Sequence, residues 1–397
     1  MDSASALPLV LMTLGAIAMP AFARKVAIPV AVAEIVYGMV LGGTGLGLVK
    51  STEFIRFLAD VGFAFFMFLA GLEIDFRGIE KRGIRTGSGR LIMSVLAFVL
   101  AIGLGQKMGW SVWVCLAIGA TSIGLLVAVM RETGIGGTTL GNTMMGQGAV
   151  GEAVTILALS IAHLHHEVHG GWPLVMGLLR MLILAGAAVL VVVTLRALLW
   201  WFPRPFTRMV AADDPAEFGV RVGFGLMFAF VGLSLLSGVE PFLGAFIAGA
   251  MLTFVIRDKG ALEHKLASMA YGFFVPVFFI HVGINLNLKA SVLIDNFFQV
   301  VAIILAMFLV KFIPSLGMLS SGFNIRQVTI VSLLLAAPLT LVIAIVDIGV
   351  RAHAIDPTSA AVMVFSGIVA SLLYPTLAKQ LLRRRDEATL PEPITHT

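Results

Sequence analysis

Glu152 stands inside the apolar run Leu140–Ala162, and Lys311 inside another, Val300–Pro314. Ionising either group at the depth of a hydrocarbon layer without a partner is costly, so such residues mark ion or proton sites by default. A carboxylate there holds a proton, a cation or a nearby ammonium; a buried ammonium needs a carboxylate or must give up its proton. Glu152 is the first candidate partner for Lys311, and Asp60, Asp347 and Glu34 are the other acids in or near apolar runs. The plainer reading of Lys311 is a side chain that snorkels to an interface. Two further stretches bring oxygen atoms and broken backbone. Gly119-Ala-Thr-Ser-Ile-Gly124 brackets the hydroxyls of Thr121 and Ser122 with glycines, and Ala336-Ala-Pro-Leu-Thr340 sets Pro338, which lacks a backbone donor, two residues before Thr340. Freed carbonyls and hydroxyls at such interruptions would complete the oxygen shell of a dehydrated ion. Against that stands the bland alternative that Gly, Pro and Thr are common in membrane helices, where hydroxyls bond back to carbonyls. Asp347, Asp60 and Gln147 are secondary candidates, and Asp347, two turns beyond Thr340, could equally face a water-filled exit.

These groups must be carried by membrane helices. The 397 residues are 59% hydrophobic and 12% charged, with a mean hydropathy of +1.02. Soluble domains are about a quarter charged, so the chain reads as an all-α integral membrane protein. Thirteen apolar segments are expected near 6–23, 27–46, 55–72, 89–106, 111–130, 139–162, 174–200, 218–237, 242–256, 267–288, 297–319, 326–350 and 358–379. Basic residues gather in alternate loops. One side takes Arg24, Lys25, Arg77, Lys81, Arg82, Arg85, Arg90, Arg131, Arg196, Arg204, Arg208 and Arg221, then Arg257, Lys259, Lys265, Arg326, Lys379 and Arg383–Arg385. The other has Lys50, Arg56, Lys107, Lys289 and Arg351, while Arg180 near a helix start reads as interfacial. The positive-inside rule then puts the N-terminus outside and the C-terminus in the cytoplasm, which an odd helix count satisfies. The two interrupted segments occupy matching places in two halves, about 6–162 and 218–379, joined by a linking helix at about 174–200. Paired interruptions of that kind are the sign of an inverted repeat with two crossed broken helices.

The remaining features narrow the classes. The net charge of +5 lies on one side of the membrane and so speaks to orientation, with no support for nucleic-acid binding. Cys115 is the single cysteine, which rules out an intrachain disulfide. The start, Met1-Asp-Ser-Ala-Ser, has no basic region, so the first segment is expected to be a retained helix. Residues 386–397 form a short polar tail, no loop is long enough for a soluble module, and the exchanging part is expected to span 1–385. His163-Leu-His-His-Glu-Val-His169 suggests a wet outer loop more than a metal site. Glu240-Pro241 reads as a hinge, and the pairs Gly38/Gly42 and Gly219/Gly223 read as close helix packing. No HExxH, paired-aspartate or nucleophile–base pattern supports an intramembrane enzyme, and no cofactor is expected.

Several stretches together resemble the second family of monovalent cation:proton antiporters, the Kef-type sodium/hydrogen exchanger domain. Val32-Ala-Glu-Ile-Val-Tyr-Gly-Met-Val-Leu-Gly-Gly-Thr-Gly-Leu-Gly47 is similar to the family's GE-I-x-x-G-x-x-L-G-P-x-x-L-G run. The stretch Leu58 to Asp75, ending Gly-Leu-Glu-Ile-Asp, matches its third helix and is the most specific likeness. Pro241-Phe-Leu-Gly-Ala-Phe-Ile-Ala-Gly-Ala250 and Pro276-Val-Phe-Phe-Ile-His-Val-Gly-Ile-Asn285 resemble two later signatures. The resemblance implies a homodimer, each protomer with a dimerisation domain and a core of crossed broken helices. It also implies an ion- or proton-binding acid at Glu152, the eleventh-helix lysine at Lys311 and the crossover pair at Thr121 and Ser122. Two departures stand out. The acid is Glu rather than Asp and is preceded by Gly151, and the twelfth-helix crossover, Ala337-Pro-Leu-Thr340, is largely apolar.

The expected function is therefore exchange of a monovalent cation, Na⁺ or K⁺, for protons at one buried carboxylate, in a bacterial inner membrane. A gated potassium-efflux pathway on the same fold would usually carry a regulatory nucleotide-binding tail and show flux uncoupled from the pH gradient. A carrier of a small organic or anionic solute would use helix N-termini at the broken helices.

Overall fold

The computed structural model describes residues 3–26, 28–43, 45–49, 51–73, 84–135, 138–167, 171–201, 217–255, 260–286 and 290–387. Lys50, Asp75, Arg77, Lys81, Arg82, His169, Arg204, Arg208, Arg257, Lys259, Lys289 and the tail from 388 lie outside these residues. The chain runs through α1 (Ser3–Val26), α2 (Val30–Leu41), α3 (Glu53–Leu72), α4 (Ile84–Met108), α5 (Val112–Gly119), α6 (Gly124–Thr133), α7 (Thr139–Glu167) and α8 (Gly171–Trp201). It continues through α9 (Phe218–Leu236), α10 (Pro241–Val255) and α11 (Gly260–Asn285), the last with a π-helical turn at Ala270–Phe274. The final elements are α12 (Ala290–Asp295), α13 (Phe297–Ser315), a 3₁₀ stretch at Leu316–Ser321, α14 (Ile325–Leu335), α15 (Leu339–Arg351) and α16 (Pro357–Glu387).

Ten of the described helices are long and apolar enough to cross a membrane, and three shorter apolar stretches accompany them: Val30–Leu41, Val112–Val127 and Pro241–Phe254. Each of the thirteen expected segments coincides with one of these. The count of full-length crossings is smaller than thirteen because α2 and α10 are short and a break cuts the segment at 112–127. Helix starts follow from local chemistry. The side chains of Thr52 and Ser111 accept the backbone N–H groups of Ile55 and Val114, each at 3.4 Å. Asn324 and Gln327 cap α14 reciprocally, at 2.9 and 3.0 Å.

The chain clusters into two compact units. The first comprises Met1–Ile84, Ile156–Asn296 and Ile343–Ala361; the second, Arg85–Thr155, Phe297–Val342 and Val362–Thr397. In the first unit α2 packs on α11 with almost no gap. A Cβ on Gly38 would strike the Ile280 carbonyl, and one on Gly283 the Ile35 carbonyl. Lipid supplies no hydrophobic drive between helices, so approach this close is what earns contact energy in a membrane. Phe63 stacks on Phe278 at 4.8 Å and Phe65 on Phe274 at 5.0 Å, fixing α3 against α11. In the second unit Gln147 donates from α7 to the Arg90 carbonyl (3.3 Å) and the Ser94 hydroxyl (3.1 Å) of α4. Tyr374 of α16 donates to the Ile304 carbonyl of α13, and Arg326 reaches the Leu381 carbonyl at 3.0 Å.

Candidate functional site

Both expected interruptions are present, and the second unit brings them together. α5 stops at Gly119, Ala120 is extended (φ −61°, ψ 147°), and α6 begins at Gly124. α14 stops at Leu335; Ala337 and Pro338 are non-helical, and α15 begins at Leu339. Proline has no N–H to continue a ladder and pushes the preceding residue out of the helical region, which accounts for the second break. The two meet through the Ser122 and Thr340 hydroxyls, 2.9 Å apart.

Breaking a helix inside a membrane exposes backbone groups that must find partners. α7 supplies two of them. The Ile123 N–H donates to Oε2 of Glu152 at 3.1 Å, and the Thr121 N–H donates to the Thr155 hydroxyl, also at 3.1 Å. Glu152, only 3% exposed, thus caps the N-terminus of α6, where the helix dipole favours a negative charge by about 0.3–1 kcal/mol, up to about 2 when partly buried. Lys311 is 5% exposed and donates its Nζ to the Gly119 carbonyl at the C-terminus of α5. Its ammonium also lies 5.6 Å from the centroid of the Phe98 ring. The two buried charges therefore sit at complementary ends of two half-helices. The expectation of a snorkelling Lys311 gives way to a buried side chain held by a backbone carbonyl at the cut end of α5.

The unusual Gly151 has a steric cause. A Cβ there would lie 2.9 Å from both Cβ and Cγ2 of Thr121 and 3.1 Å from its Oγ1. Glycine lets the broken strand lie directly against α7. Thr155 and the contact of Gly151 with Thr121 were missed at the level of sequence. The available signal was helical spacing, since Thr155 lies one turn beyond Glu152 on the same helix.

The secondary candidates go elsewhere. Gln147 ties α7 to α4, as above. Asp60 and Asp347 lie in the first unit, both on Arg351: Nη1 to Asp60 at 2.5 Å and Nε to Asp347 at 3.0 Å. Together with the His163–Glu240 pair (2.5 Å) and the rings of Phe57, Phe63, Phe228 and Phe242 they line a cavity of about 550 Å³. His166 reaches the Ala352 carbonyl at 3.1 Å, and Glu240 precedes the first residue of α10. Among the described residues no group of three or more His, Cys, Asp or Glu side chains is placed to hold a metal ion. For a monovalent cation the second unit offers the Glu152 carboxylate, the Ser122 and Thr340 hydroxyls, and carbonyls at Ala120–Ser122 that lie outside both helices.

A buried acid at the start of one half-helix, a buried lysine at the end of the other, and two discontinuous segments joined by hydroxyls define the architecture of a secondary transporter. The comparisons with known proteins give the family. The chain belongs to the transmembrane sodium/hydrogen exchanger family, which matches residues 9–384. It is 28% identical to YjbQ of Bacillus subtilis over 94% of this chain and 62% of that protein, so it spans less than two thirds of that relative's length. It is 22% identical to the Na(+)/H(+)-K(+) antiporter GerN of Bacillus cereus, covering 91% of this chain and 92% of GerN. The sodium proton antiporter MjNhaP1 from Methanocaldococcus jannaschii superposes with a TM-score of 0.66 over 95% of this chain and 97% of its own, at 18% identity. At that identity the likeness is one of fold.

Proposed function

We propose that the protein exchanges a monovalent cation, Na⁺ or K⁺, for protons, with the Glu152 carboxyl holding one or the other in turn. The observation that carries this reading is the Glu152 carboxylate on the Ile123 N–H, at the break where Ala120–Ser122 lie outside both α5 and α6. Membership of the exchanger family and the likeness to GerN support it. Because proton and cation compete for one group, exchange follows without a separate coupling device. The Ser122 and Thr340 hydroxyls and the carbonyls around Thr121 complete the cation's oxygen shell. Lys311 balances the negative end of α5 through the Gly119 carbonyl. Access alternates by rocking of a core domain against a dimerisation domain within a homodimer, with the C-terminus in the cytoplasm. An anionic solute fits less well, since the N-terminus of α6 already receives the protein's own carboxylate.

Reconstitution in liposomes with an internal pH dye tests this. Na⁺, K⁺ or Li⁺ should dissipate an imposed proton gradient through the wild type, and Glu152→Gln should abolish the signal. Cation flux without any dependence on the proton gradient would favour the efflux pathway. No cation-dependent signal from wild type, or full activity in Glu152→Gln, would sink the proposal. With a single acid the exchange is one proton per cation, and a higher measured ratio refutes that part.

A further inference from the structure

Thr155 is completely buried, and its hydroxyl makes two hydrogen bonds. It donates to the Gly151 carbonyl one turn back at 2.7 Å, and it accepts the Thr121 N–H at 3.1 Å. The first bond is ordinary: Thr143, Ser160 and Thr194 do the same to their own helices. The second sets Thr155 apart, because it reaches across to a residue 34 positions earlier. Thr121 is itself buried, and the extended backbone at Ala120 removes its N–H from the helical ladder. Buried backbone donors require partners. Two residues further on, Ile123 is held by Glu152. Thr155 and Glu152, three positions apart on α7, are thus successive rungs on one helix face, and they clamp the broken strand at both ends.

We infer that Thr155 is a positioning residue that seats the Thr121–Ile123 strand on α7 and thereby sets the cation affinity of the Glu152 site. The cation-affinity part rests on the proposed antiport reading. The positioning part stands on the hydrogen bonds alone. Thr155 acts through Thr121: the carbonyls flanking that residue are the oxygens a cation would use, and their placement relative to the carboxylate follows the strand. Gly151 makes the arrangement possible by leaving room for Thr121, so the residues at 151 and 155 work as one surface.

Two readouts test the inference. In the liposome assay Thr155→Val, which keeps the shape and removes the hydroxyl, should raise the KM for the transported cation about tenfold with maximal rate per folded protein little changed. Thr155→Ser restores the hydroxyl and should keep KM near wild type. A purely structural role would lower the amount of active protein in both variants and leave KM alone. The second readout needs no transport. Amide hydrogen exchange in the peptide covering 117–127 should quicken about tenfold in Thr155→Val and not in Thr155→Ser, as expected when local opening becomes easier. Unchanged exchange in Thr155→Val overturns the positioning role. Quickened exchange with an unchanged KM overturns the link to cation affinity. If wild type shows no cation-dependent flux, or Glu152→Gln remains active, the antiport reading and the cation-affinity part fall together, while the exchange measurement still decides the positioning role.

Discussion

Replacing Gly151 with alanine adds one methyl group at the most crowded point of the candidate site. The new Cβ would stand 2.9 Å from Cβ and Cγ2 of Thr121 and 3.1 Å from its Oγ1. Carbon atoms in contact prefer separations of about 3.5–4.0 Å, so the broken strand must withdraw from α7 by roughly 0.5 Å or more. Rotating the Thr121 side chain gives little relief, because its Cβ is one of the close atoms and its N–H is tied to Thr155. Overpacking of this kind costs about 1–3 kcal/mol. Alanine returns about 1 kcal/mol of helix propensity, so the loss of stability is partly masked and transport is the sharper measure. A misplacement of about 1 Å at a reactive site lowers rate about a hundredfold, so half that shift predicts a loss of roughly tenfold. The assay compares cation-driven proton flux in liposomes with thermal unfolding in detergent for three variants. Gly148→Ala, one turn earlier on α7, meets Leu126 Cδ2 at 3.0 Å, Ile123 Cγ1 at 3.3 Å and Leu335 Cδ2 at 3.9 Å and should be milder. Gly186→Ala meets nothing within 4 Å, so it should leave transport unchanged and raise thermal stability by the propensity gain alone. The reasoning is refuted if Gly151→Ala behaves like Gly186→Ala in both measurements.

Two further outcomes concern the first unit. Arg351→Gln strips both Asp60 and Asp347 of their partner, but Arg351 and Asp60 are 40% and 44% exposed, so solvent offsets much of the loss. A destabilisation of about 1–2 kcal/mol is expected, below the range for a fully buried pair, and Asp347→Asn added to it should recover at least half. Strict additivity in that double-mutant cycle would contradict the described triad. Asp356, ahead of α16, accepts the backbone N–H groups of Thr358 and Ser359 at 2.9 and 3.0 Å. Hydrogen bonding from the Ser359 side chain, with further backbone bonds, holds its carboxyl below the ordinary value of 3.8. Its stabilising contribution is therefore fully present above that value and is lost as pH falls through the lower folded-state value. Asp356→Ala should cost about 0.5–2 kcal/mol at neutral pH, and the difference from wild type should shrink on acidification in thermal melts.

The class of fold was written in the composition, because apolar runs long enough to span a membrane leave the backbone no choice but helix. Both interruptions were legible for the same local reason: Pro338 lacks a donor, and glycines flank Thr121 and Ser122. The burial of Glu152 and Lys311 was legible too, since a charge within twenty apolar residues has few places to go. Which groups those charges meet was not legible. The cut ends of α5 and α6 offer each charge a dipole and a hydrogen bond of the right polarity, and a sequence does not show where a broken helix aims its ends. The tie of Asp60 and Asp347 to Arg351 was hidden by the same limit, for it joins residues 291 positions apart in one case.

Gly151 shows the division most plainly. In sequence it is an oddity beside an acid; in three dimensions it is the gap into which Thr121 fits. Local preferences of the backbone decide where helices start, stop and break, and these are properties of a few neighbouring residues. Contact between α7 and a strand some thirty residues earlier depends on how those elements pack, so tertiary structure alone assigned Thr155 to Thr121 and Glu152 to Ile123.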